Sequence, residues 1–514
     1  MWWLIIEVEQ HDAEVNVDYY KTYVNNRFIE ENSFISAKAE DADPPALASV
    51  KHLLPVPFWG GHDDTVDCYW KTWEIAFRNL MKPAAGSGFV SNFIDTAFNG
   101  CLFMWDSVFI LLFGRYGSRA FDFQRTLDNL YARQHPDGFI CREIEEASGQ
   151  DRFERYDPAN TGPNVMAWSE WEYYLNFGNR ERLARVFPVL VAYHQWLRLN
   201  RTWQDGTYWT SGWGCGMDNQ PRQDKEYNRG WSHGHLSWAD TCLQQVLSAT
   251  LITRMAEELG RTDEVPDMAA EAAQLRKTVN AKLWDKAAEF YCDRQRDGRL
   301  NAVKSVGAYW ALLAGVVPRN RQEPFIAHLR NPNEFNRPHR VPSLSKDHPE
   351  YDPRGSYWLG SVWPPTNYMI MRGLDSVRQY DLAHDIALNH LGNVVEVFRK
   401  TGTVWENYAP EAPEQGNQSK ADFVGWSGLP ATAVLFEYVF GIRSNVPESR
   451  IVWDVRLLEE HGIEQYPFGG KGTVSLKCGR RASPHDKPRI EAHSDIPLTL
   501  DIRWEGGREK LRVG

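Results

Sequence analysis

The chain has 514 residues, a net charge of −11, 42% hydrophobic and 24% charged residues, a globular composition sufficient for a sizeable core and for one large domain with additions or two to three domains. The acidic balance excludes nucleic acid as a partner, because phosphate binding needs a basic patch. Aromatic residues are the outlier, at 22 Trp, 21 Tyr and 24 Phe, and many of the Trp stand beside Gly, Pro, Asp or Ser, where ring faces can stack on the C–H faces of sugars.

In chain order, residues 1–6 are apolar but stop at Glu7 without a basic flank. They are too short for a leader or a membrane span, and no membrane partner is expected. The cysteines at 68, 101, 141, 215, 242, 292 and 478 form no C-x-x-C pair, and scattered reduced thiols suggest a cytoplasmic protein. Residues 1–60 read as a mixed lead-in interrupted by Pro44, Pro45, Pro55 and Pro57. Between 61 and 444, apolar residues recur at three- and four-residue spacing. The stretches lie near 66–80, 103–113, 118–133, 163–177, 180–200, 237–260, 264–284, 304–315, 320–330, 362–373, 376–400 and 426–440. About twelve helices, with long Gly-, Pro- and Trp-rich loops between alternate ones, predict a mainly α fold, an (α/α)6 barrel of six hairpins whose long loops gather at one end. From 445 to 514 the pattern changes to a period of two, as in Ile451-Val452-Trp453-Asp454-Val455 and Leu498-Thr499-Leu500-Asp501-Ile502. This predicts a small antiparallel β module.

Hydrolysis of a glycosidic bond needs a proton for the leaving oxygen and an activated water or nucleophile at the anomeric carbon, which two carboxyl groups supply. Two loops offer them. In Gly212-Trp213-Gly214-Cys215-Gly216-Met217-Asp218-Asn219-Gln220-Pro221-Arg222, three glycines within five residues exclude a regular helix and let the backbone turn sharply around whatever Asp218 faces. A lone loop Asp is most often a turn residue, but here Trp and Arg crowd it. In Trp405-Glu406-Asn407-Tyr408, a Glu between aromatic residues is unlike a solvated helix end. Trp105-Asp106 opens one helix, and Tyr357-Trp358-Leu359-Gly360-Ser361-Val362-Trp363-Pro364 opens another.

Together these segments resemble the trehalase-like clan of inverting glycosidases, chiefly glycoside hydrolase family 63 and the mannosylglycerate-hydrolase-like group, with family 37 trehalases more distant. The Trp-Asp motif is matched by Trp105-Asp106, and the Gly-hydrophobic-Asp-Asn-x-Pro-Arg motif by residues 216–222. The Tyr-Trp-Arg-Gly-x-x-Trp-Pro motif is matched by residues 357–364, the Glu-x-Tyr motif by Glu406-Asn407-Tyr408, and a Phe-x-x-Trp-Ser step by Phe423 to Ser427. The one departure is Leu359 where that pattern often has Arg. The resemblance implies Asp218 as general acid and Glu406 as general base, with carboxyls about 6.5–9.5 Å apart for an inverting reaction. It also implies an α-linked glucoside or mannoside of small size as substrate, with no metal or organic cofactor. Trp105, Trp213, Trp363 and Trp426 are expected to wall the pocket. Asp106, Gln134 (in Gln134-His135-Pro136-Asp137-Gly138), Asn219, Arg222 and Tyr408 are expected to bind hydroxyls or orient the carboxyls. Trp168 reads as packing, and His233-Gly234-His235 lacks a third metal ligand. Two other readings stay open at this point: an epimerase or lyase on the same toroid, and a non-catalytic carbohydrate-binding protein.

Overall fold

The computed structural model describes residues 25–514 apart from Asp41 and Ala97; the apolar start at residues 1–6 lies outside the described residues. Each of the twelve periodic stretches contains helix. Helix Met104–Gly114 is apolar nearly all round, and every one of its residues is buried, which suits an innermost position. It packs on Met166–Phe177, which packs on Ala239–Leu259, which packs on the short turns Val306–Tyr309 and Trp310–Leu313. Those turns pack on Pro364–Ser376, which touches Pro430–Val439, and that segment returns to Met104–Gly114.

Further helices cover this series from outside. Arg180–Asn200 lies over Met166–Phe177, Met268–Lys282 over Ala239–Leu259, and Tyr380–Thr401 over Pro364–Ser376. The last has a single buried stripe, Leu382, Ala383, Ile386, Ala387, His390, Leu391, Val394, Val395 and Val397, as expected of a helix with one face on the core. The twelfth segment, Pro430–Val439, is a π-helix, a wider turn that hydrophobic spacing cannot distinguish from an α-helix. Among the described residues, no helix is long and apolar enough to cross a membrane.

At the C-terminal end of Met104–Gly114, opposite Asp106, lies a buried ionic cluster that ties four segments together. Arg115 reaches Glu172 at 3.1 Å and Glu437 at 2.6 Å. Tyr116 and Tyr368 donate to Glu437 at 2.7 and 2.9 Å, and Arg372 pairs with Glu172. Burial pushes the Glu172 carboxyl up, but Arg372 and Arg115 more than offset that and hold it below the ordinary value.

The β region is larger than the periodicity predicted. It holds two four-stranded sheets. One runs in the order Val56–Trp59, His461–Phe468, Gly472–Cys478, Ile490–Ser494, and the other in the order Gly507–Val513, Leu498–Trp504, Arg450–Asp454, Ile442–Asn445. Two expectations change. Leu498–Trp504 pairs parallel with Arg450–Asp454, so the module is not wholly antiparallel. The lead-in also supplies a strand, since Val56–Trp59 pairs with residues 461–464. Its Pro57, which lacks a donor, is tolerated because this strand lies at a sheet edge.

Candidate active site

Asp218 sits just past one helical turn, Gly212–Cys215, where glycine composition alone predicted no helix. Ser211 caps that turn by accepting from the Gly214 amide at 3.1 Å. Gly216 ends it with φ +77°, and a Cβ there would lie 3.1 Å from the indole nitrogen of Trp105. The glycine therefore both allows the left-handed turn and lets the Asp218 loop lie on Trp105. Asn219 fixes the loop to the next motif: its side chain donates to the Ser356 carbonyl at 3.2 Å and accepts from the Trp358 amide at 2.9 Å.

Glu406 lies in a bend between the backbone bridges at Trp405 and Tyr408 and is held from both sides. Its amide donates to the Lys420 carbonyl at 2.9 Å, the Lys420 amide donates to its Oε2 at 3.2 Å, and the Trp426 indole donates to its carbonyl at 2.9 Å. Two residues on, Tyr408 exchanges backbone hydrogen bonds with Val362 at 2.8 and 3.0 Å. The Trp405 amide donates to the Tyr408 hydroxyl at 3.1 Å.

A short strand pair brings in the third group. Cys101–Phe103 pairs with Glu143–Glu145, and the Met104 amide donates to the Arg142 carbonyl at 2.8 Å. This sets Asp106, in the first turn of its helix, beside Arg142 and Glu143. These segments enclose a cavity of about 600 Å³ whose lining includes Trp105, Asp106, Arg142, Glu143, Asp218 and Tyr357, with Trp213, Trp231, Trp358 and Trp426 among its aromatic walls. Of the side chains that usually serve an epimerase or lyase as base, no histidine but one tyrosine, Tyr357, is among the lining residues described.

The site is rich in carboxyl groups and poor in solvent, so their pKa values rise. Burial pushes Asp218 up to about 6, Arg142 opposing and Glu143 adding to the rise. Burial, with the charge of Asp218 adding to it, pushes Glu406 up to about 7 against its hydrogen bond from Lys420. Burial, then Glu143 and Glu406, holds Asp106 well above the ordinary range. Among the described residues, Oε1 of Glu406 and Oδ1 of Asp106 are buried without a hydrogen-bond donor, and such atoms are costly unless a ligand or water completes them. The Tyr357 hydroxyl lies against the Glu406 carboxyl and favours its charged form. Tyr357 has φ +58°, a strained backbone for an aromatic residue and typical of a site where position matters more than stability.

Of the residues expected from sequence, Trp105, Asp106, Trp213, Asp218 and Trp426 line the cavity. Glu406 is 4% exposed and lies behind that lining, coupled by charge to Asp218 and Asp106. Asn219, Trp363 and Tyr408 stand one layer back: Trp363 stacks on the lining Trp358 at 4.0 Å with 4° between planes.

Two placements differ from expectation. Arg222 is buried between Asp240 and Asp293, with hydrogen bonds of 2.5–3.0 Å, and braces the acid loop away from the cavity. Gln134 donates to the carbonyls of Gly138 and Val189 at 3.0 Å and accepts from Asn32, so its polar groups tie down a turn. Arg142 and Glu143 were missed, whereas Tyr357 and Trp358 were named within the 357–364 motif without a place in the pocket. The signal for the first two was a charged pair interrupting the apolar run Phe139-Ile140-Cys141…Ile144. Leu359, in the place of the usual arginine, is absent from the lining, whereas Arg142 and Arg152 are part of it.

Residues 101–427 match the family described as the mannosylglycerate hydrolase MGH1-like glycoside hydrolase domain. The mannosylglycerate hydrolase of Thermus thermophilus is 26% identical over 349 residues, 54% of this chain and 82% of that protein. The probable mannosyl-oligosaccharide glucosidase of Schizosaccharomyces pombe is 24% identical over 280 residues, 48% of this chain, which spans only 34% of the yeast protein. The crystal structure of a GH63 mannosylglycerate hydrolase from Thermus thermophilus in complex with glucose matches at a TM-score of 0.58 and 21% identity, covering 71% of this chain and 99% of that one. That likeness shows a shared fold.

Proposed function

Because this chain belongs to the mannosylglycerate hydrolase MGH1-like family of glycoside hydrolases, we propose that it hydrolyses an α-glucosidic or α-mannosidic bond in a small glycoside or oligosaccharide with inversion at the anomeric carbon. Asp218 acts as general acid and Glu406 as general base, at one end of an (α/α)6 barrel formed by residues 61–444. One observation carries the reading: Asp218 lines a tryptophan-walled cavity, and Glu406, from a loop 188 positions away (406 minus 218), lies just behind that lining within reach of its charge, with their pKa values raised to about 6 and about 7. Asp218 protonates the glycosidic oxygen as the bond to the anomeric carbon breaks. Glu406 takes a proton from the water that attacks the opposite face of that carbon. The seven cysteines are buried and unpaired, which fits a reducing cytoplasm. The test is NMR of the first product anomer from an α-glucoside and α-mannoside panel. The β-anomer is expected first, and the α-anomer first would exclude a single displacement.

The pKa order has a kinetic consequence. The reactive form needs a protonated Asp218 (about 6) and an ionised Glu406 (about 7), so the resting proton favours the wrong partner. We expect kcat/KM to form a narrow bell with its maximum near pH ~6.5, rising as Glu406 ionises and falling as Asp218 loses its proton. The two limbs belong to the coupled pair, not to either residue alone. A profile flat from pH 5 to 8 would contradict this arrangement.

A further inference from the structure

We infer that the cavity wall beside Asp218 is a subsite for a cyclic, uncharged leaving group, a second pyranose ring, and that Trp231 is its specificity-determining residue. This rests on the hydrolase reading above. The proton of a general acid goes to the leaving oxygen, so groups beyond Asp218 on its own side face the leaving group. Trp213, in the same loop as Asp218, and Trp231 and Phe153, whose rings pack on it, line the cavity together with Asp218. The rings of Trp213 and Trp231 have centroids 4.7 Å apart, and Phe153 packs edge-on to Trp231 at 5.8 Å. Trp231 is 42% exposed, an open aromatic surface at a cavity mouth. Gly230 makes the approach possible, since a Cβ there would lie 2.7 Å from the Trp213 indole nitrogen. An exposed indole paired with a second one has an apolar face that the C–H face of a pyranose covers.

The charges on this wall favour the same occupant. Arg142 is paired with Glu143, donates to the Trp213 carbonyl at 3.0 Å and lies 4.6 Å over the Phe153 ring. Arg152 faces Glu145 at 3.7 Å. Both cations on the acid's side are thus already opposed by carboxylates. A small acyclic acid such as glycerate would leave the indole faces uncovered. A volume of about 600 Å³ also accommodates two pyranose rings.

The experiment compares kcat/KM for α-linked glucosyl- and mannosyl-hexoses, the corresponding glycosylglycerates, and α-glucosyl and α-mannosyl fluoride, whose leaving group fills no subsite. The parent is expected to prefer the disaccharide to the glycosylglycerate. In Trp231→Ala the ratio of disaccharide to fluoride kcat/KM is expected to fall at least ~10-fold, the scale of one lost aromatic stacking contact. A parent preference for the glycosylglycerate, or an unchanged ratio in the variant, overturns the subsite and leaves the hydrolase standing. No turnover of any compound, the fluorides included, overturns the hydrolase reading and the subsite with it. Because Trp231 is a half-exposed loop residue, the variant is expected to keep the parent melting temperature.

Discussion

Asp218→Asn is expected to lower kcat on an α-glucoside or α-mannoside by about 10²–10⁴-fold, the usual contribution of a positioned acid or base, while hydrolysis of the matching α-glycosyl fluoride falls far less. Fluoride leaves without a proton, so only the loss of a general acid separates the two substrates. Glu406→Gln is expected to lower both by a similar factor, because every substrate needs the attacking water to be deprotonated. The packing around both carboxyls is preserved by the isosteric amides, and the backbone of Glu406 is held by Lys420 and Trp426 through main-chain atoms. Steady-state rates on both substrates for both variants make the check. Equal losses for Asp218→Asn on glycoside and fluoride would remove Asp218 from the acid's role, and parental rates in Glu406→Gln would remove Glu406 from the base's.

The largest expected effect on stability lies at the opposite end of the helices. Glu437 is 1% exposed and faces Arg115, Arg372, Tyr116 and Tyr368. Glu437→Gln leaves two buried guanidiniums to share Glu172 alone. Removing one partner of a buried ion pair costs about 3–5 kcal/mol, because the surviving charge stays desolvated. At an unfolding entropy near 2.1 cal/mol/K per residue, that corresponds to a melting temperature lower by roughly 3–5 °C for 514 residues. Calorimetry of parent and variant measures it. A shift under about 1 °C would mean that the cluster exchanges its bonds with water at no cost.

The helical part was legible where a covering helix has one apolar stripe, as Tyr380–Thr401 and Met268–Lys282 do. The β region was half legible. Ile451 and Trp453 flank the half-buried Val452, Leu500 and Ile502 flank Asp501, and all four are buried, so their strands were found. Gly507–Val513 carries Arg508, Lys510 and Arg512 on an open face, and its period gave little apolar signal. Val56–Trp59 was hidden by its prolines, since its pairing depends on residues some four hundred positions away.

The candidate site divides along similar lines. Asp218 and Glu406 stood out by their loop chemistry, Trp105 and Trp213 by aromatic context, and Trp426 only through the family resemblance. Arg222 and Gln134 belong to loops that shape the site, and a polar side chain in such a loop reads the same whether it turns toward a ligand or toward its own backbone. Arg142 and Glu143 reach the cavity only because of the strand pair with Cys101–Phe103, a partnership with no local mark in the chain.

The edge strand contributed by the lead-in sets a timetable for biogenesis. Trp59 leaves the ribosome 402 residues (461 minus 59) before His461, its register partner. At ordinary translation rates that interval is about 20–80 s. Through it, Val56–Trp59 has no sheet to join, and its unpaired backbone is a template for wrong pairings. The clasp between the front and the back of the molecule is therefore among the last contacts to form, and a nascent chain halted before residue 461 keeps that edge open however well its helices have already packed.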